Sequence, residues 1–356
     1  MIHDDVLSLI GETPIVRLRR LKVENRSEIL VKLEAYNPGR SIKDRSALFM
    51  VEQAERDGRL LPGGTIIEST SGNLGKALAL IGAVRGYRVV LVVDPKVPRS
   101  VLQFAAGLGA TLDFVTIPDQ HGGYQGPRIE RVKALCAEDP SLFWPDQYNN
   151  PDNPRAHASV TATEILADLD FVDALVATVS TGGHVTGLSR TLKQHLPQLV
   201  TVAVDAIGSS TFGHPFSTYK MRGIGLAWKP NNLDHSLIDR FHPIADHEGI
   251  ATSRVLVRHE GIYVGESSGA AIFAALHYAH HHPGHRVLVV AADDGVNYLG
   301  ESFDTDWLRR HGLGQVLDDS ALCDPSGLVR AAITPTHQPM LFETSASTIS
   351  RTNFAP

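Results

Sequence analysis

From its N-terminus onward, the chain alternates between short runs that are apolar at nearly every position and longer stretches where apolar residues recur every three or four positions. The short runs fall at residues 29–33, 65–68, 88–93, 174–179, 200–204 and 286–290, and Val and Ile dominate them. Strands apolar on both faces belong in a sheet covered on both sides, the usual setting of parallel strands. The longer stretches, at residues 45–57, 75–85, 98–108, 156–169 and 268–280, predict helices between those strands. Alternation of this kind needs right-handed crossovers and predicts an α/β fold.

A chain of 356 residues holds about two domains. The break falls in residues 144–154 (WPDQYNNPDNP), rich in Pro, Asn and Asp. The expected units are residues 1–150, whose first strands are free to cross into the other unit, and residues 151–322. Residues 323–356, rich in Ser, Thr and Pro, read as an appendage draped over the surface or partly disordered. With 33 Lys+Arg against 39 Asp+Glu the net charge is −6. Nothing in that balance attracts nucleic acid or an anionic membrane, although a local pocket for a small anion is compatible with it. Two cysteines, Cys136 and Cys323, make no disulfide framework. An acidic N-terminus without an apolar run, and no apolar stretch of about 18–20 residues, lead to a cytoplasmic expectation.

Three turns leading into helices carry the chemistry. Glu68-Ser69-Thr70-Ser71-Gly72-Asn73-Leu74-Gly75 follows a strand and sets hydroxyls, an amide and unpaired backbone N–H groups at a helix start, a place for a carboxylate or phosphate. Ser180-Thr181-Gly182-Gly183-His184-Val185-Thr186-Gly187 also follows a strand, and its paired glycines let the backbone wrap a tetrahedral anion. Neither is a Walker loop: Gly75-Lys76 is followed by Ala77 and preceded by Thr70 where a glycine is required. The third turn places Lys43 beside Ser41 and Asp44 at a helix start. Each taken alone reads as an ordinary helix cap or solvated lysine. Together, a lysine able to form a Schiff base and a phosphate cup are what pyridoxal phosphate requires.

At that point the residues are recognisable. Asn37-Pro38-Gly39-Arg40-Ser41-Ile42-Lys43-Asp44-Arg45 resembles the Asn-Pro-x-x-Ser-x-Lys-Asp-Arg motif of the cysteine synthase/cystathionine β-synthase family, the fold type II pyridoxal-phosphate enzymes. Residues 70–75 and 180–187 resemble the family's substrate and phosphate loops. Residues 265–270 (GESSGA) resemble its G-x-S-S-G-A helix start, and residues 292–299 its P-D-S-G-E-R-Y-L segment, all in the family's order. The resemblance implies two domains, each a mostly parallel sheet flanked by helices, with the active site between them. It also implies a homodimer acting on small amino acids, and β-replacement through an α-aminoacrylate with Lys43 as base and then acid. Carried over by residue, Lys43 holds the cofactor covalently and Asn73 meets its 3′-oxygen. Ser180, Thr181, Gly182, Gly183, His184 and Thr186 take its phosphate, with His184 where the family usually has threonine, and Ser267 joins the cofactor site. Thr70, Ser71, Asn73 and Gln147 receive the substrate carboxylate. Asp294 stands where the family places Ser or Thr against the pyridine nitrogen; either it faces that nitrogen, or it turns away, or the register slips by one.

Leu74, Tyr148 and Ser180 depart from sulfide-using cysteine synthases, and with residues 204–213 (VDAIGSSTFG) they resemble the branch that joins O-phospho-L-serine to L-glutamate toward 2,3-diaminopropionate, a siderophore precursor. Two added hydroxyls, on Tyr148 and Ser180, suit a polar amino-acid acceptor better than sulfide. A leaving phosphate then needs a cation; Arg222 is the first candidate, with Arg128 and Arg131 next. The alternatives are a cysteine synthase using O-acetylserine or O-phosphoserine with sulfide, and a silent regulatory paralogue. The run His280-His281-His282 with His285 reads as a helix end before Pro283-Gly284 rather than a metal site.

Overall fold

The computed structural model describes residues 2–120 and 123–341. After β1 (Ile15–Arg17) and β2 (Glu28–Leu33), the chain enters α1 (Lys43–Arg56) and then a run of strand–helix units. These are β3 (Thr65–Ser69), α2 (Asn73–Arg85), β4 (Arg88–Val93), α3 (Arg99–Gly107), β5 (Thr111–Phe114), α4 (Gln125–Glu138) and β6 (Leu142–Phe143). They build a four-stranded parallel sheet of order β5-β4-β3-β6. The second half adds α5 (Asp152–Ala156), α6 (Ala162–Asp168), β7 (Ala174–Thr178), α7 (Gly183–His195), β8 (Val200–Ala206) and β9 (Arg240–Ile244). It continues through α8 (Asp246–Glu260), α9 (Glu266–His281), β10 (Arg286–Ala291) and β11 (Met340–Leu341).

The larger sheet runs β1-β2-β10-β7-β8-β9-β11, so β1 and β2 cross from the N-terminal part of the chain into the sheet of the second half. Only its edge pairs, β1 with β2 and β9 with β11, are antiparallel. The all-apolar runs account for this arrangement. β7 and β10 lie at the centre of the sheet, and Leu175, Val176, Val287, Leu288, Val289 and Val290 are all inaccessible to solvent. One face packs on α8 and α9 and the other on α6 and α7.

Three expectations need adjusting. The helix expected at residues 156–169 is interrupted by a π turn at His157–Thr161, between α5 and α6. Gly187 of α7 approaches this stretch so closely that a Cβ would lie 2.2 Å from the Pro154 carbonyl. Strand β9 escaped notice because His242 and Pro243 break its apolar run. A strand next to the short edge strand β11 tolerates the missing N–H. The appendage is also more integrated than its composition suggests. Pro325 is the first residue of a helix, Pro325–Ile333, capped by Asp324, and Leu328 and Ala332 are completely buried against the core of the larger sheet. Residues 342–356 lie outside the described residues. Among those described, no helix is long and apolar enough to cross a membrane.

Candidate active site

The loops that leave the C-terminal ends of β3, β7 and β10 converge, with the start of α1, on a cavity of about 410 Å³. This is the end of a parallel sheet where ligands characteristically bind. Lys43, the first residue of α1, lines it. Burial pushes the Lys43 amine below its ordinary range, opposed by the Asp293 carboxylate. Thr70, Ser71, Gly72 and Asn73 of the substrate-type turn line the same wall. Thr70 Oγ1 accepts from the N–H groups of Gly72 (3.2 Å) and Gly75 (3.3 Å), closing the turn. Gly72, the N-cap of α2, has no side chain to cap it. Thr70 takes the Gly75 N–H, which leaves the N–H groups of Asn73 and Leu74 for a carboxylate. Gln147, Tyr148, Ser180, Thr181, Ser267 and Arg222 are further predicted residues that reach the cavity.

The glycine pair of the second turn works by close approach. Gly182 has φ +80°, and a Cβ there would lie 2.7 Å from Leu233; one on Gly183 would lie 2.1 Å from Asn153 Oδ1. The turn is thereby pressed against the Asn153 side chain, which donates to Thr181 Oγ1 (3.2 Å). Gly182, the N-cap of α7, has no side chain to cap it, and the Gly183 N–H meets Thr181 Oγ1 at 3.5 Å. Gly182, Gly183, His184 and Thr186 do not line the cavity. Thr186 Oγ1 instead accepts from the Asp234 N–H at 3.0 Å and borders a different cleft. His184 is buried against His157, its Nε2 without a partner, and burial, with Lys43 adding to it, brings its imidazole down to about 3. It is a neutral ring at physiological pH, not an added cation.

Asp294 turns away from the cavity. Its carboxylate accepts from the Val296 N–H (2.9 Å) and pairs with Arg40 Nη1 at 2.7 Å. The carboxylate that faces the site is Asp293, one residue earlier. Its Oδ2 accepts from Asn73 Nδ2 (2.7 Å) and the Tyr298 hydroxyl (2.5 Å), and its buried Oδ1 has no partner. Burial raises the Asp293 carboxyl, and the Tyr298 and Asn73 hydrogen bonds oppose that. Gly265 makes room for it, since a Cβ there would lie 2.1 Å from Asp293 Oδ1. The Tyr of the P-D-S-G-E-R-Y-L segment, here Tyr298, was the sequence signal for this partner.

The arginines exchange rank. Arg222 lines the cavity but is held bidentately by Glu301, through Nε (2.6 Å) and Nη2 (2.8 Å). Arg131 lies on the surface with Asp113. Arg128, on α4, is only 4 % exposed and lines the cavity wall. Its Nε is 3.3 Å from Asp94 Oδ2 but not aligned for a hydrogen bond, and both Nε and Nη1 lack acceptors. A buried guanidinium with unmet donors costs stability unless a ligand completes it. The histidine run is structural: His281 Nδ1 meets the His277 carbonyl (2.9 Å), and His282 stacks on Tyr278 beside Arg240.

Comparison with known proteins fits this geometry. Residues 6–293 match the family described as pyridoxal-phosphate dependent enzyme. The chain is 38 % identical over 340 residues to N-(2-amino-2-carboxyethyl)-L-glutamate synthase of Cupriavidus metallidurans, covering 94 % of this chain and 100 % of that one. It is equally similar, 38 % over 345 residues, to the enzyme of that name from Ralstonia nicotianae, covering 96 % and 99 %. Among solved structures, cysteine synthase from Entamoeba histolytica superposes with a TM-score of 0.84 at 33 % identity, covering 95 % of this chain and 97 % of that one. The residues present suit the cofactor that these matches imply. A desolvated lysine, the N-terminus of α2, the hydroxyls of Ser180, Thr181 and Ser267, and the Asp293 carboxylate with one buried oxygen left without a partner all meet at one cavity.

Proposed function

This chain belongs to the family of pyridoxal-phosphate dependent enzymes and is a β-replacement enzyme of its cysteine synthase branch; we propose that it joins O-phospho-L-serine to L-glutamate, giving N-(2-amino-2-carboxyethyl)-L-glutamate and phosphate. Pyridoxal phosphate supplies the electron sink that makes an amino acid's α-proton labile. In this reading Lys43 Nζ removes that proton and later returns one. Its lowered pKa suits it to both steps. Thr70, Ser71, Asn73 and Gln147 hold the α-carboxylate at the start of α2. Tyr148, whose hydroxyl accepts from Gln125 Nε2 at 3.0 Å, and Ser180 offer the acceptor amino acid polar contacts that sulfide does not need. A homodimer is the working unit this reading carries.

The observation that carries the reading is Arg128. A leaving phosphate brings nearly two negative charges into the cavity, and Arg222 is already committed to Glu301. Arg128 has two donor groups without acceptors and a guanidinium geometry suited to phosphate. The match along the whole length to two N-(2-amino-2-carboxyethyl)-L-glutamate synthases supports the same substrates. Mass analysis of products from O-phosphoserine offered with L-glutamate or with sulfide tests the proposal directly. A product formed only with sulfide sinks it. Arg128→Met is expected to cut kcat/KM for O-phosphoserine by about 10- to 100-fold, the scale of one lost charged hydrogen-bonding group. The loss with O-acetylserine should be several-fold smaller, whereas Arg222→Met should affect the two donors alike. Equal losses in Arg128→Met remove it from the phosphate role.

A further inference from the structure

Lys76 failed as part of a phosphate loop, and the chemistry above does not use it. It is nonetheless one of the few lysines fully inside the protein, at 2 % exposure, one helical turn after Asn73 on α2. Its side chain does not reach the cavity. Lys76 Nζ lies 4.9 Å from the centre of the Phe104 ring and 3.0 Å from Asn297 Oδ1. From there a single chain of hydrogen bonds continues. Asn297 Nδ2 donates to Asn73 Oδ1 (3.1 Å), and Asn73 Nδ2 donates to Asp293 Oδ2 (2.7 Å).

The direction of this chain is set at its ends. An ammonium only donates and an ionised carboxylate only accepts, so two amides strung between them have one arrangement that satisfies all four groups. Each amide nitrogen carries two hydrogens, and Asn73 spends only one on Asp293. Asn73 lines the cavity, and among the described residues no hydrogen bond uses the other. Lys43 also opposes the Asp293 charge, but a lysine that gives up its proton is no standing counter-ion. Burial depresses the Lys76 amine, and the carboxylates of Asp293, Asp44 and Asp294 act against that.

We propose that Lys76 is a positioning residue, the permanent counter-cation that keeps Asp293 ionised and, through Asn297, holds Asn73 as a hydrogen-bond donor toward the cavity. The inference rests on the reading that Asn73 meets the cofactor's 3′-oxygen. A donor there favours the anionic oxygen, whereas a carbonyl oxygen favours its protonated form, which absorbs at shorter wavelength.

The test compares the long- and short-wavelength absorption bands of the purified holoenzyme at one fixed pH. In Lys76→Met the ratio is expected to move about three- to tenfold toward the short-wavelength band, the weight of one hydrogen bond. Lys76→Arg, which keeps the charge, should restore most of the wild-type ratio. Asn297→Ala, which keeps the ammonium and cuts the relay, should shift the ratio in the same direction, and it decides the question if Lys76→Met does not fold. An unchanged ratio in a cofactor-loaded Lys76→Met, or in Asn297→Ala where that variant decides, overturns the proposal and leaves the site assignment intact. A wild-type protein with no visible band overturns the assignment itself.

Discussion

Lys43→Ala is expected to lower the β-replacement rate by about a thousandfold or more, because one amine serves as proton acceptor, proton donor and covalent anchor. Borohydride reduction of the wild-type holoenzyme followed by peptide mapping should place the label on Lys43. Lys43→Arg should not rescue turnover, since a guanidinium stays protonated at any working pH. The acid limb of the pH–rate profile follows from the same residue. Burial lowers the amine's pKa, so the neutral base is present at less alkaline pH than for a free lysine. Activity should fall as the pH drops through that lowered value and the amine takes up a proton. A label on another side chain, or a Lys43→Ala enzyme retaining a tenth of its rate, would remove Lys43 from the chemistry.

Lys43 was legible because the Asn-Pro-x-x-Ser-x-Lys-Asp-Arg spacing is local, and local spacing survives in a sequence. The same is true of the central strands, whose unbroken apolar runs mark burial on both faces. What escaped was set by partners distant in the chain. Whether Asp293 or Asp294 faces the cavity depends on Arg40, which draws Asp294 away from 254 positions earlier, and on Tyr298 and Asn73, which hold Asp293. Arg222 ranked above Arg128 because it sits in a glycine-rich stretch. Its Glu301 partner, 79 positions on, could not be read from that stretch. The helix Pro325–Ile333 was hidden by a proline that reads as a breaker but is well tolerated in a first turn.

The last residue of the lysine motif, Arg45, should dominate stability as Lys43 dominates catalysis. Its guanidinium is almost wholly buried and bridges elements far apart in the chain. Nε meets Glu34 Oε2 at 2.6 Å just after β2, and Nη1 and Nη2 meet the two oxygens of Glu164 on α6 at 2.6 and 2.7 Å. Thr13 Oγ1 takes a further bond at 3.0 Å, and Lys32, completely buried in β2, closes the cluster on Glu164 at 3.1 Å. Two cations and two carboxylates balance, so the cluster is tolerable only while it is whole. Arg45→Met leaves Glu164 with Lys32 and takes from Glu34 its ion-pair partner, and breaking a buried pair in this way costs about 3–5 kcal/mol. The pH dependence has a definite sign. Burial works to raise the Glu164 carboxyl, but Arg45 outweighs it and brings it down to about 2. The wild-type protein therefore keeps this stabilisation above the ordinary glutamate range near 4.5 and loses it as the pH falls toward 2. Arg45→Met removes the cation that holds the Glu164 carboxyl down, so this pH-dependent stabilisation is lost from the variant. Urea unfolding at pH 7 and at pH 4 should show a large gap between the two proteins that narrows in acid. A gap below about 1 kcal/mol at pH 7, the scale of an exposed pair, or one that widens in acid, would mean that Arg45 does not neutralise the two glutamates.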